Sequence, residues 1–373
     1  MEYWDIYDIH RRKLGYCLAR CTGAELPEGC TCRAALADTG KLDLRPEEYH
    51  LSVHIWFINA RGELLIQKRA ENKRHMPGVW AACGGAVMAG EDSLTAAVRE
   101  SYEEMGIIVD PARLVRILTY TSPERHSHMD VYMYRYECDP DALTLQEEEV
   151  SRAGWFPLEA LTGKTFTDEQ FRRYTYMDIL YSLVKSHADW RRRGFMPGHR
   201  HSRPEPADVY DMRGNRTGRK ADRSDALPFG DYLWSIHVWF IGSDGQALLQ
   251  RRSMHCTWRP GDFAALGGGV MAGETPMEAA RREVMEEMGV SLDERNTFQL
   301  CQYVDEQSLC TVYVANQDVA SEELHLNREE VSAVQFVSAD MLSAYSSADN
   351  FLRPLYLPMV TSAMRVIERS RHI

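Results

Sequence analysis

Two stretches of the chain place glutamates at helical spacing. In GGAVMAGEDSLTAAVRESYEEMGI (Gly84 to Ile107), Glu100, Glu103 and Glu104 share one helix face, because residues three and four apart project together. In GGGVMAGETPMEAARREVMEEMGV (Gly267 to Val290), Glu283, Glu286 and Glu287 repeat the arrangement. Like charges at this spacing repel by roughly 0.2–0.5 kcal/mol per pair. One nearby arginine, Arg99 or Arg282, does not neutralise three carboxylates. Mg²⁺ is held by such carboxylates together with waters and substrate phosphates. It neutralises phosphoryl oxygens and acidifies a bound water. A single E-x-x-E-E could be a solvated acidic face. Here the cluster comes twice, each time with a Gly-Gly entry, a loop glutamate (Glu91, Glu274), an Arg-Glu pair and a terminal glycine. That favours a cation site.

The positioning elements follow from the same residues. Leu94, Ala97, Val98 and Met105 form an apolar stripe opposite the first glutamate face, and Met277, Ala280, Val284 and Met288 form the second. Asp92 is an N-cap for the first helix. Thr275, Pro276 and Glu278 make a capping box with proline at the first helical position. Gly106 and Gly289 supply the left-handed residue that ends each helix. Val53 to Ile58 and Leu64 to Lys68 read as strands joined by the Ala60-Arg61-Gly62 turn. Val131 to Tyr136 and Val312 to Val314 read as further strands, and Asp168 to Lys185 and Asn350 to Arg369 as closing helices. Strands with two helices per copy predict an α/β sandwich.

The repeat extends well beyond the glutamates. YHLSVHIWF (Tyr49 to Phe57) returns as YLWSIHVWF (Tyr232 to Phe240), and LLIQKR (Leu64 to Arg69) as ALLQRR (Ala247 to Arg252), at one constant shift. The two glutamate-rich strings keep that shift and share 15 of 24 positions. This is a tandem duplication of one domain. The expected division is domain 1 at 1–186, a basic proline-containing linker at 187–205, and domain 2 at 206–373. Copy one carries an insertion at about 17–40 with Cys17, Cys21, Cys30 and Cys32. Their spacing does not match paired zinc motifs, and reduced thiols in a surface insertion are expected.

The net charge of −12 argues against a nucleic-acid partner bound through its phosphate backbone. No apolar run approaches the roughly 20 residues of a membrane span, and the N-terminus has no signal-peptide layout. A soluble cytoplasmic protein without a membrane partner is expected.

The two strings resemble the Nudix box, G-x5-E-x7-R-E-U-x-E-E-x-G-U, where U is aliphatic. Gly85, Glu91, Arg99, Glu100, Glu103, Glu104, Gly106 and Ile107 match in copy one. Gly268, Glu274, Arg282, Glu283, Glu286, Glu287, Gly289 and Val290 match in copy two. The opening resembles a Nudix subgroup with a W-D-I-Y-D-like start. The resemblance implies two α/β/α sandwich domains, each a mixed β-sheet flanked by helices. It also implies Mg²⁺- or Mn²⁺-dependent hydrolysis of a nucleoside diphosphate linked to a group X. Glu100, Glu103 and Glu104 with the Gly85 carbonyl would hold metal, as would Glu283, Glu286 and Glu287 with Gly268. Arg99 and Arg282 would orient ligand carboxylates. Glu149 and Glu330, outside the boxes, are candidates for an assisting ligand or base.

Arg69 and Arg252 are candidates to hold a phosphate, and Trp80 and Phe263 to stack on a base. His126 and His128 read as exposed loop residues, in a loop where the copies differ in length, so the two sites are expected to differ in substrate. Ser101 departs from the aliphatic pattern that Val284 keeps. Many Nudix proteins dimerise, so the duplication suggests an intramolecular pseudo-dimer. Two alternatives stand beside the hydrolase. One is an isopentenyl diphosphate isomerase-like enzyme. It is disfavoured because Cys83 lies one residue off the catalytic position and copy two has Leu266. The other is a nucleotide-sensing module that does not cleave.

Overall fold

The computed structural model describes the chain except residues 1, 27–31, 38–41, 74–75, 163–165, 167–169, 194, 197–204, 306–307, 346 and 371–373. It contains two compact units, Met1–Met177 and Asp178–Ile373. The expected linker, 187–205, falls largely outside the residues whose side chains are described.

In the first unit a small sheet is built from β1 (Tyr3–Tyr7), β2 (Lys13–Thr22) and β3 (Arg33–Leu36). Trp4, Ile6, Leu18 and Ala35 form its buried cluster. The cysteine-bearing insertion therefore contributes strand and core rather than a plain surface loop. The sulfurs of Cys17 and Cys32 lie 3.9 Å apart. Cys30 lies outside the described residues.

The main sheet of this unit centres on β4 (His50–Ile58) and β5 (Leu64–Arg69), followed by β6 (Trp80–Ala81), β7 (Val115–Ser122), β8 (Ser127–Arg135) and β9 (Val150–Phe156). Strand β4 runs parallel to β8 and antiparallel to β5, which also pairs with β6 and β9. The turn at 59–62 closes the predicted β4–β5 hairpin. Alternation splits β4 between two faces. Val53, Ile55 and Phe57 pack with Ala96, Ala97 and Met105 of helix α1 (Ser93–Met105). His54 and Trp56 point the other way, to the Tyr176 hydroxyl. A strand covered on both faces explains why YHLSVHIWF is apolar without clean alternation. Short α2 (Leu158–Thr162) follows β9, and α3 (Met177–Arg193) begins at the unit boundary.

The second unit repeats the plan. Its strands are β10 (Phe195–Met196), β11 (Pro206–Tyr210), β12 (Arg216–Asp222), β13 (Leu227–Pro228), β14 (Leu233–Ile241), β15 (Ala247–Arg252), β16 (Phe263–Ala264), β17 (Leu266–Gly269), β18 (Thr297–Asp305), β19 (Ser308–Asn316) and β20 (Val331–Val337). Strand β14 is parallel to β19 and antiparallel to β17. Ile236, Val238 and Phe240 face Ala279, Ala280, Val284 and Met288 of α4 (Pro276–Met288). Helices α5 (Ala339–Tyr345) and α6 (Leu357–Ser370) close the unit. Each unit is thus a mixed sheet flanked by helices. Among the described residues no helix is long and apolar enough to cross a membrane.

The helix-end predictions hold. The Asp92 carboxylate accepts from the Thr95 N–H at 2.7 Å. Thr275 and Glu278 form the capping box. Gly106 and Gly289 close the helices at φ 67° and 70°. Ser101 is fully buried, yet its hydroxyl donates to the Ala97 carbonyl at 2.7 Å, so the departure from an aliphatic residue leaves no unsatisfied donor.

Candidate active site

The apolar stripe docks α1 on the sheet, and the glutamate face then meets the Gly-Gly segment. A Cβ on Gly85 would collide with the Glu100 carboxylate, and one on Gly268 with that of Glu283. A side chain at either position would have to displace the carboxylate it meets. The Gly85 carbonyl accepts from the Val53 N–H at 2.9 Å, which leaves a second lone pair for another partner.

Arg99 organises the first cluster. Its Nε and Nη2 donate to the two oxygens of Glu91 at 2.9 and 3.0 Å. Its Nη1 donates to Glu100 at 2.8 Å and Glu103 at 2.9 Å, and Nη2 also reaches the Ala86 carbonyl. Arg282 makes the same set with Glu274, Glu283, Glu286 and the Gly269 carbonyl. The planar guanidinium suits this fork. Burial works against the Glu91 charge, but the Arg99 and Met88 hydrogen bonds outweigh it and hold the carboxyl below its ordinary range.

The glutamates are unequally exposed. The side chains of Glu103 and Glu286 are 46% and 54% exposed, while those of Glu100 and Glu283 are 12% and 11%. Glu104 and Glu287 are buried. Burial, with Glu100 adding to it, pushes the Glu104 carboxyl up to about 7. Burial does the same to Glu283, to about 7, against the pull of Arg282. Glu100 is also raised by burial, and Glu287 well above the carboxylate range by burial and by the charges of Glu283 and Glu330. Carboxylates so raised are short of positive charge. One oxygen of Glu287 is buried with no hydrogen-bond partner. Hard oxygen donors in this state fit a divalent cation.

The residues outside the boxes divide. Glu330 joins Glu283 and Glu287, with one oxygen from each within 4.8 Å of the others. Glu149, its counterpart, pairs instead with the Lys73 ammonium at 2.5 Å. Among the described residues Glu100, Glu104 and Glu149 do not form a matching trio.

Trp80 is not brought to the glutamates. It pairs with Lys68 on β5, and alternation turns it to the face opposite Gln67 and Glu104. There it packs edge-on against Phe156, with 5.0 Å between ring centroids. Phe263 packs likewise on Tyr345. Arg252 donates to the Trp258 carbonyl and lies 5.4 Å from that ring. Arg69 follows a register shift between β5 and β9. His128 is a correction: it is a fully buried strand residue, not an exposed loop residue. It bonds Thr121 and the Asp8 carbonyl, and burial lowers its ring to about 3. His126 sits in the β7–β8 turn at φ 49° with its ring against the Glu48 carbonyl.

One contributor escaped the sequence reading. Gln67 is buried, and its amide donates to Glu104 at 2.8 Å beside the Gly84 N–H at 2.9 Å. Gln250 is buried at the equivalent position. The available signal was a polar residue inside two otherwise apolar strands, LLIQKR and ALLQRR.

Comparison with known proteins agrees with this geometry. The NUDIX domain model matches residues 48–179 and 231–357, together more than half of the chain. An uncharacterized Nudix hydrolase of Listeria monocytogenes is 34% identical over 151 residues, 39% of this chain and 88% of that protein. An isopentenyl-diphosphate Delta-isomerase of Streptomyces coelicolor is 35% identical over 134 residues, 33% of this chain and 64% of that one. The crystal structure of DR0079 from Deinococcus radiodurans matches 42% of this chain and 97% of its own, at 23% identity and a TM-score of 0.36. The chain belongs to the NUDIX-domain family, with two such domains in tandem, and is a hydrolase acting on phosphoric anhydride bonds.

Proposed function

We propose that each domain holds a divalent cation, Mg²⁺ or Mn²⁺, and hydrolyses the diphosphate linkage of a nucleoside diphosphate derivative by water attack on phosphorus. The observation that carries this reading is the duplicated cluster itself. Two helices present the same carboxylates; one arginine fork holds Glu100 and Glu103 in the first and Glu283 and Glu286 in the second, and burial raises Glu104 and Glu283. Glu100, Glu103, Glu104 and the Gly85 carbonyl would hold the ion in the first domain. Glu283, Glu286, Glu287 and the Gly268 carbonyl would hold it in the second.

When bound, the cation supplies positive charge to the diphosphate oxygens and a more acidic water. The remaining work belongs to the chain. Arg99 and Arg282 keep the ligand carboxylates oriented and tie them to the Glu91 and Glu274 loops. Gln67 and the Gly84 N–H fix one oxygen of Glu104. Glu103 and Glu286, the most exposed members, reach solvent and are placed to accept a proton from water. Glu330 stands beside the second cluster for the same task. Arg69 and Arg252 remain the candidates for phosphate contact.

Against an isomerase reading, the Cys83 thiol is fully buried against the Glu100 carbonyl, and copy two has Leu266 at this position. The test is release of phosphate or nucleotide from a panel of diphosphate compounds, with and without Mg²⁺ or Mn²⁺. Ion-dependent turnover is the expected result. Ion-dependent binding with no turnover on any compound would replace the hydrolase with a sensor.

A further inference from the structure

The two sites differ in what faces the outer glutamate, Glu149 or Glu330. Leu64–Gly85 aligns with Ala247–Gly268 without a gap, which sets Lys73 against Cys256. The backbone around the outer glutamates is the same in both. The Ala70 N–H donates to the Glu149 carbonyl at 2.9 Å, and the Ser253 N–H to the Glu330 carbonyl at 2.8 Å. Glu149 and Glu330 themselves donate to the Gln146 and Asn327 carbonyls. Only the side chains diverge. Lys73 takes the Glu149 carboxylate at 2.5 Å, in a pair whose side chains are 23% and 33% exposed. Cys256 instead contacts the Glu330 main-chain carbonyl, at 3.4 Å, and brings no charge to the carboxylate. That carboxylate then stands with Glu283 and Glu287.

We infer that Lys73 acts as a built-in cation at the first site, holding Glu149 away from metal, so that the second site, with Cys256 in its place, binds divalent cations more tightly. This rests on the reading that the glutamate helices hold metal. A partly buried ammonium is screened less than a surface one. An ion entering the first domain must either compete with Lys73 for Glu149 or do without that carboxylate. An ion entering the second domain finds three carboxylates with no basic residue paired to Glu330 among the described residues.

The experiment is Mn²⁺ binding to the full chain, followed by titration calorimetry and by the electron paramagnetic resonance signal of free Mn²⁺. Wild type is expected to show two classes of site. Glu287→Gln should remove the tighter and Glu104→Gln the weaker, which assigns them. Cys256→Lys should weaken the tight class by about 10- to 100-fold, and Lys73→Met should tighten the weak class by a similar factor. Lys73→Cys provides the reciprocal exchange should Lys73→Met fail to melt cooperatively. If Glu104→Gln and Glu287→Gln leave Mn²⁺ binding untouched, the metal reading beneath the inference fails. If they remove their sites but the Lys73 and Cys256 variants change neither affinity, the inference alone is overturned.

Discussion

Arg99 grips Glu91 at two points, Nε to Oε1 at 2.9 Å and Nη2 to Oε2 at 3.0 Å. Arg282 grips Glu274 the same way at 2.8 and 3.0 Å. The fork spans the loop and the helix, so it fixes the distance between the Gly-Gly segment and the glutamates. Its third nitrogen is then free to hold Glu100 and Glu103, or Glu283 and Glu286.

A lysine cannot reproduce a two-point grip while serving two further carboxylates. Arg99→Lys is therefore expected to lower ion-dependent turnover at the first site by about 10- to 100-fold, the usual cost of losing a ligand-orienting partner. Kinetics in a Glu286→Gln background would isolate that site.

Burial of the glutamates sets a pH dependence. The ordinary glutamate value is 4.5, and Glu104 and Glu283 titrate near 7 in the folded chain. Between these values the folded chain keeps protons that the unfolded chain has lost. The stability these two groups contribute therefore falls as pH rises from about 4.5 to about 7 and levels above it. Each group contributes on the order of 3 kcal/mol across that window. In EDTA, the stability difference between wild type and Glu104→Gln or Glu283→Gln, from denaturant melts at several pH values, should move against wild type as pH rises through this window. Groups shifted the other way, such as Glu91, are present in both proteins and cancel in the difference. A difference that does not change with pH would contradict the burial of these carboxyls.

Gly85 and Gly268 are predicted to matter for a steric reason, since a methyl group there would displace the Glu100 or Glu283 carboxylate. Gly268→Ala should lower turnover at the second site by about 10- to 100-fold through displacement of Glu283. Circular dichroism should show the fold retained. Wild-type turnover would mean that Glu283 has freedom to move without consequence.

What the sequence revealed and what it hid follow from the range of the interactions. The caps at Asp92, Thr275, Gly106 and Gly289 are local, and so were readable within a few residues. The box glutamates were readable because one helix carries all three. His128 was misplaced because its pairing with Tyr49 and Asp8 is set by the β4–β8 register, which no local pattern reports. The face that Trp80 takes depends likewise on its register with Lys68. The Lys73–Glu149 pair joins a loop after β5 to the start of β9, and only the folded sheet brings the two together.

Mutation of the exposed carboxylates asks whether the two glutamate helices carry the hydrolysis. Ion-dependent hydrolysis of a diphosphate substrate would be measured for wild type, Glu103→Gln, Glu286→Gln and the double variant. Partial loss is expected in at least one single variant, and loss of turnover in the double. Wild-type turnover in the double variant would contradict a hydrolytic role for the two glutamate helices.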